Sequence, residues 1–171
     1  MKLGLDISTS CVGYCILDYE NKIKVIGHID LNKKINIYEK AKYFKYFIGF
    51  VCDKNYVEKV NIEEPMMMFM GGKSRAQTIA LLQKFNGMVS YIMNEKYDGK
   101  IKHYNVRSAR KNLGFTDRKC DKAIPVKQRV YEYCLLTEPS LKKYEIRNKN
   151  DKLKDEFFDM IDAYVIAKQG D

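Results

Sequence analysis

Residues 2–18 read KLGLDISTSCVGYCILD: two strand-like apolar runs flank Ser8-Thr9-Ser10, and a single carboxylate, Asp6, sits inside the first run. Side chains alternate along a strand, so Leu3 and Leu5 share one face while Gly4 and Asp6 take the other. A carboxylate at a position suited to Val or Ile raises the question of what satisfies it. The pattern continues outward as Leu3 to Ile7, Val12 to Asp18 and Lys22 to Leu31, joined by the Ser8–Ser10 and Glu20-Asn21 turns, which predicts an antiparallel meander.

The period then changes. Ile37, Ala41, Phe44, Ile48 and Val51 recur at spacings of four and three, predicting an amphipathic helix over 36–52 that crosses over to the next strand. That strand runs from Val57 to Glu63 and ends before Pro65. A loop over 66–73 contains Gly71-Gly72. A helix follows over 74–96, with Ile79, Leu82, Phe85, Val89, Ile92 and Met93 near one stripe, and then a strand over 101–106. Residues 107–122 are strongly basic with little apolar periodicity. A further helix is expected from about Pro125, where proline suits a first turn, and the last over about 152–168. This mixed order predicts an α/β sheet covered by helices in one domain spanning 1–171.

Composition narrows the function classes. The 171 residues include 46% hydrophobic residues, enough for a core, and carry 31 Lys and Arg against 22 Asp and Glu, a net charge of +9. Such an excess suits a polyanionic partner. No run approaches the length of a membrane helix and the start shows no signal-peptide pattern, so an intracellular, cytoplasmic protein without a membrane partner is expected. The cysteines at 11, 15, 52, 120 and 134 include no Cys-x-x-Cys pair; reduced thiols are expected, with neither a disulfide framework nor a zinc site. His28 and His103 lie in separate strand-like segments, and neither is assigned catalysis or metal binding.

Four more carboxylates stand out beside Asp6. Glu63 and Glu64 close the fourth strand, and Asp159 and Asp162, three apart on the last helix, share a face. Each has a structural explanation: Asp6 capping the Ser8–Ser10 turn, the glutamates forming a solvated strand end, the aspartates making the polar side of a helix. The helix in FFDMIDAYVIA, however, is apolar nearly all round, so its aspartates point into packing. Burying unpaired carboxylates there costs several kcal/mol unless a cation or donor meets them. Hard divalent cations take oxygen ligands, and two of them about 4 Å apart can activate water and stabilise the leaving oxygen of a phosphodiester.

Asp6 in LGLDISTSCVGYCILD, Glu63 in NIEEP, and Asp159 with Asp162 in DMIDAYVIA resemble the metal-binding tetrad of RuvC-type Holliday-junction resolvases, in the ribonuclease H-like superfamily. LLQKFNG, with Gly87, and VKQRV, Val126 to Val130, also resemble family segments. The resemblance spans Leu3 to Ala167. It implies a mixed sheet, three antiparallel strands followed by parallel ones, flanked by helices. It also implies a Mg²⁺-dependent endonuclease, with two ions per site and Mn²⁺ able to substitute. The substrate would be branched DNA, especially four-way junctions, nicked symmetrically by a homodimer. Asp6, Glu63, Asp159 and Asp162 would be the catalytic metal ligands.

Adjacent strand residues face opposite ways, so only one of Glu63 and Glu64 can join Asp6, and the resemblance selects Glu63. Arg107 and Lys127 sit at family-like positions for phosphate contact, within a basic set that also includes Lys73, Arg75, Arg110, Lys111, Arg118, Lys119, Lys122 and Arg129. In PMMMFMGGKSR, Phe69 stands where the family places an aromatic that stacks at the opened junction; packing onto the core or a partner subunit is the other reading. Residues 112–124 follow no family pattern.

Two other functions compete. DISTS resembles the first phosphate loop of sugar-kinase and actin-like ATPases, but those need a second large domain and a Gly-rich adenosine loop, and this chain is too short for both. A DNA-binding scaffold without catalysis would leave the tetrad dispensable. Within the nuclease reading, a broader activity on flaps and other branched DNA stays open.

Overall fold

The structure, a computed structural model, describes residues 1–65, 76–117 and 123–170. Five strands, β1 (Lys2–Ile7), β2 (Cys11–Leu17), β3 (Ile23–Asp30), β4 (Lys59–Glu63) and β5 (Ile101–Tyr104), form one sheet in the order β3-β2-β1-β4-β5. β1, β2 and β3 are antiparallel neighbours, whereas β4 pairs parallel to both β1 and β5. The expected mixed sheet is therefore the observed one.

Both tight turns are closed by their own side chains. Ser8 Oγ donates to the Cys11 carbonyl and accepts from the Cys11 and Ser10 amides. Asp18 Oδ1 accepts from the Glu20 and Lys22 amides, and Asn21 between them adopts the left-handed conformation. With Ser8 closing the first turn, Asp6 is left without a capping role there.

The alternation on β1, β2 and β4 feeds two cores. Leu3, Leu5, Ile7, Val12, Tyr14, Ile16, Val60 and Ile62 pack beneath α1 (Ile37–Lys54) and α2 (Ala76–Lys96). Asn36 caps α1 through its side chain, accepting from the Tyr38 and Glu39 amides. On the other face, Cys15, Leu17 and Ile26 pack with α3 (Val106–Asn112), α4 (Val126–Thr137) and α5 (Asp155–Ala167).

α5 lies directly on the sheet backbone. A Cβ at Gly4 would overlap the Ala163 carbonyl, and one at Gly13 the Asp159 carbonyl. Glycine at these two positions is what lets the helix approach. Its direction is opposite to β1: Lys2 donates to the Gln169 carbonyl, Gly4 meets Ala163 and Ala167, and Gly13, opposite Asp6, meets Asp159.

The segment read as basic and aperiodic contains α3. Its two turns bury only Ala109, too little for a visible stripe, and its start is fixed by the Asn105 side chain accepting from the Arg107 and Ser108 amides. A 3₁₀ segment, Pro139–Tyr144, follows α4. α5 begins at Asp155, later than the expected 152, because residues 146–154 fold back as a small hairpin with Arg147 bridged to Leu153. Cys11, Cys15, Cys52 and Cys134 are free and buried. No helix of the described residues is long and apolar enough to cross a membrane.

Candidate active site

β1 and β4 run parallel in register, Gly4 beside Asn61, so their C-terminal ends place Asp6 and Glu63 on the same face as Asn61. Val60 and Ile62 take the opposite face into the core under α1 and α2. Glu64, one residue on, is exposed. α5, pressed onto that face, brings Asp159 and Asp162 over the same edge. All four carboxylates line one cleft of about 460 Å³, together with Ser8, Asn86, Asn105, Arg107, Arg110 and Lys127, and the exposed Glu64 borders it as well.

The electrostatics are those of crowded like charges losing water. Burial, a hydrogen bond shared with Glu63 and repulsion from Glu63, Asp162 and Asp159 hold the Asp6 carboxyl well above the usual carboxylate range. Glu63 is also raised, chiefly by burial, while its bond to Asp6 and the charges of Arg110 and Lys127 pull the other way. Burial raises Asp162 as well, against the opposing pull of Arg110.

Among the described residues, Arg110 and Lys127 pair with this cluster. Arg110 grips Asp162 in the bidentate manner that a planar guanidinium allows. Its Nη2 donates to Asp162 Oδ1 at 2.7 Å and to Oδ2 at 2.8 Å, and its Nε donates to Oδ1 at 3.2 Å. Lys127 Nζ donates to Asp159 Oδ1 at 3.0 Å. For Lys127, burial is the largest influence and lowers the ammonium, but Asp159, Asp162 and Asp6 together outweigh it and the net shift is upward. Cys11 is buried beside Asp159, with burial and then that carboxylate pushing its thiol up.

Asn86 positions Glu63 from behind: its Nδ2 donates to the Glu63 carbonyl at 2.9 Å, and Ser90 links Asn86 Oδ1 to His103 Nε2. Sequence reasoning assigns neither Asn86 nor Arg110 these roles. For Asn86 the signal is a polar residue on the stripe of Leu82, Phe85 and Val89; for Arg110 it is a spacing of three from Arg107, nearly one helical turn.

Among the described residues, no three His, Cys, Asp or Glu side chains are grouped tightly enough to hold a metal ion as they stand. The donor set is nonetheless that of a hard cation. Asp6 and Glu63 lie close enough to share a hydrogen bond and to repel one another when charged, and a divalent ion set between two such carboxylates relieves that repulsion. Asp159 and Asp162 would join such an ion by exchanging Lys127 and Arg110 for it.

Arg107 lines the cleft, and the hollow continues past Arg107 and Arg110 to Lys111, Phe115, Asp117 and Val126. Arg129 instead turns away, bonded to Asp117 and the Ile124 carbonyl, and so leaves the expected phosphate-facing set. Phe69, Lys73 and Arg75, and also Arg118, Lys119, Lys122 and Cys120, lie outside the described residues.

This arrangement, three antiparallel strands followed by two parallel ones with acidic groups at the β1 and β4 ends, defines a ribonuclease H-like fold. No protein-family model and no curated protein matches the sequence. Solved structures do match. Thermus thermophilus RuvC in complex with a Holliday junction substrate superimposes with a TM-score of 0.61 at 14% identity, over 98% of this chain and 90% of that one. Another Thermus thermophilus RuvC structure gives 0.54 at 13% identity, covering 96% and 90%. The yeast mitochondrial Holliday junction resolvase Ydc2 gives 0.59 at 16% identity, covering 96% and 75%. The chain thus has the fold of the RuvC-type resolvases.

Proposed function

We propose that this protein is a metal-dependent endonuclease for branched DNA that resolves four-way junctions by paired, symmetric nicks. The carrying observation is the convergence of Asp6, Glu63, Asp159 and Asp162, from β1, β4 and α5, on one cleft rimmed by Arg107, Arg110 and Lys127. Carboxylates alone would repel a phosphate; carboxylates with cations beside them suit a bound divalent ion and a phosphodiester together.

Asp6 and Glu63, joined by Asp159 and Asp162, would hold Mg²⁺ or Mn²⁺, two ions in the full site, which supply a nucleophilic water and charge neutralisation at the leaving oxygen. The chain's own contribution is placement. Asn86 fixes the main chain at Glu63, and the contact of α5 with Gly4 and Gly13 fixes the helix carboxylates against the strand. Arg107, Arg110 and Lys127 offer positive charge to the phosphates on either side of the scissile bond. The basic hollow beyond Arg110 extends the path for a DNA strand.

Two nicks across one junction call for two sites related by a twofold axis, hence a homodimer. Tyr46 and Phe50 on α1 and Tyr91 and Leu81 on α2 are exposed, a surface for the second copy. The test is cleavage of labelled four-way, three-way, flap and linear DNA with Mg²⁺, alongside sedimentation equilibrium. Paired nicks on the four-way junction by a dimer are expected; equal cutting of flaps would make the enzyme a general branched-DNA nuclease. No cleavage of any branched DNA would leave a binding scaffold.

A further inference from the structure

Residues 142–154 carry six Lys and Arg and two acids. Both acids pair with one cation: Arg147 meets Glu145 at 2.8 Å and Asp151 at 3.5 Å. Among the described residues, Lys142, Lys143, Lys149, Lys152 and Lys154 form no ion pair, and all five are exposed.

The segment that displays them is closely tied. The Lys154 amide donates to the Ile146 carbonyl at 2.8 Å, and the Asn148 amide to the Lys152 carbonyl at 2.9 Å. Asn148 Oδ1 accepts from the Asn150 and Lys152 amides, Arg147 Nη1 donates to the Asp151 carbonyl, and Asp151 takes the left-handed conformation at φ 59. Tyr131 anchors the base by donating to Glu145, while Ile146 and Leu153 pack on the core around α5. A solvated charge run needs none of this bracing. Here the backbone is held so that Lys149 and Lys152 project from a fixed support.

Its position is also fixed. Lys154 is the residue before α5, and Asp159 lies five residues on, about 8 Å along the axis at the usual helical rise. Because α5 runs opposite to β1, its N-terminus points past the β1 end where the cleft opens. Extended chain adds roughly 3.3 Å per residue, so the hairpin tip lies within about 20 Å of the carboxylates.

We propose that this hairpin is an arm that grips the phosphate backbone of a duplex limb beside the cleft; the inference rests on the nucleic-acid reading above. Duplex DNA carries one phosphate charge per about 1.7 Å of its axis, close enough that any cation near the limb finds one. Within about 20 Å the arm reaches phosphates up to roughly half a helical turn from the scissile bond, on the limb beside the cleft.

The test is the double variant Lys149→Glu/Lys152→Glu, with Lys149→Gln/Lys152→Gln as its milder form, measured by fluorescence anisotropy. A four-way junction and a linear 30-mer duplex serve as probes, in EDTA, from about 50 to about 200 mM KCl. Both variants should melt as wild type does. The Glu variant should bind the junction at least about tenfold more weakly at about 100 mM salt, with the log–log salt slope reduced by about two, and the Gln variant should shift the same way by less. Wild-type affinity and slope in the Glu variant on both DNAs would overturn the arm and leave the cleft reading intact. Loss of affinity in the variant, with no junction cut by wild type in Mg²⁺, would support the arm while removing the resolvase. No DNA binding by wild type at all would remove both.

Discussion

The two ends of α5 bury polar side chains against the same strands and solve the problem in opposite ways. At the C-terminal end, Asn61 donates to the Ile166 and Gln169 carbonyls at 3.0 and 2.9 Å. Gln169 donates to the Ala109 and Val165 carbonyls and accepts from Asn112, and Lys2 adds a further bond. Every donor there meets an acceptor. At the N-terminal end, Asp6, Glu63 and Asp162 all carry upward-shifted carboxyls whose first cause is burial. One end is a satisfied network of amides, carbonyls and the Lys2 ammonium that holds the fold; the other crowds carboxylates together away from water. Such a cost is kept where a site needs it.

The largest expected break in this contrast is Asp6→Asn. Junction cleavage should fall on the order of 10³-fold or more, while stability at neutral pH in EDTA should rise, since a raised carboxyl is being replaced by a neutral amide. Labelled-junction assays and thermal melts measure the two effects. Retained cleavage would remove Asp6 from the chemistry, and a lowered melting point would show its charge to be satisfied.

Next comes Arg110→Ala. It strands the Asp162 carboxylate, which is only 5% exposed. The loss should be about 3–5 kcal/mol in urea denaturation. Adding Asp162→Leu should restore most of that loss but no cleavage. If the single change is neutral, the bidentate pair holds nothing in place.

At the opposite end, Asn61→Leu should cost about 1–3 kcal/mol by removing the donor to two buried carbonyls. The folded fraction should still cut junctions normally. Lost activity at full folding would mean that the two ends are coupled along the helix.

The contrast also has a pH signature. Asp6 binds its proton more tightly folded than unfolded, so in EDTA its own contribution to stability is largest below its ordinary value of 3.8 and is lost as pH rises through the raised folded value, a term read as the difference between wild type and Asp6→Asn. Mg²⁺ should offset the decline. A wild-type melting temperature that climbs relative to Asp6→Asn over that window would reverse the sign. The smallest effect is expected from Glu64→Gln, exposed beside Glu63: stability within about 0.5 kcal/mol and near-normal cleavage. An inactive Glu64→Gln enzyme would exchange the roles of the two glutamates.

The fold was legible because its strands are short, alternating and bounded by turn-forming residues. The opposite facing of Asp6 and Leu5, or of Glu63 and Ile62, follows from period two alone. What escaped was local or paired. α3 lacks a hydrophobic stripe, and the 146–154 hairpin is held by Asx and arginine bonds that no periodicity records. Arg110 could be counted as one of many basic residues, but its bond to Asp162 spans 52 positions and depends on how α3 and α5 pack. Arg129 shows the converse, a cation in a basic run whose charge is taken up by Asp117, an acid outside its helix.

Because α5 rests on bare backbone at Gly4 and Gly13, its distance from β1 is set by a hard stop. A layer of leucines would act as a compressible shim, changing thickness with each substitution on either side. Main chain against main chain has no such play. A misplacement of about 1 Å can cost a hundredfold in rate, so this contact gives the carboxylates a machining tolerance that side-chain packing cannot. The two sheet faces should therefore differ in how freely they drift: the α1 and α2 layer can be repacked at modest cost, while any side chain added beneath α5 throws the helix out of gauge.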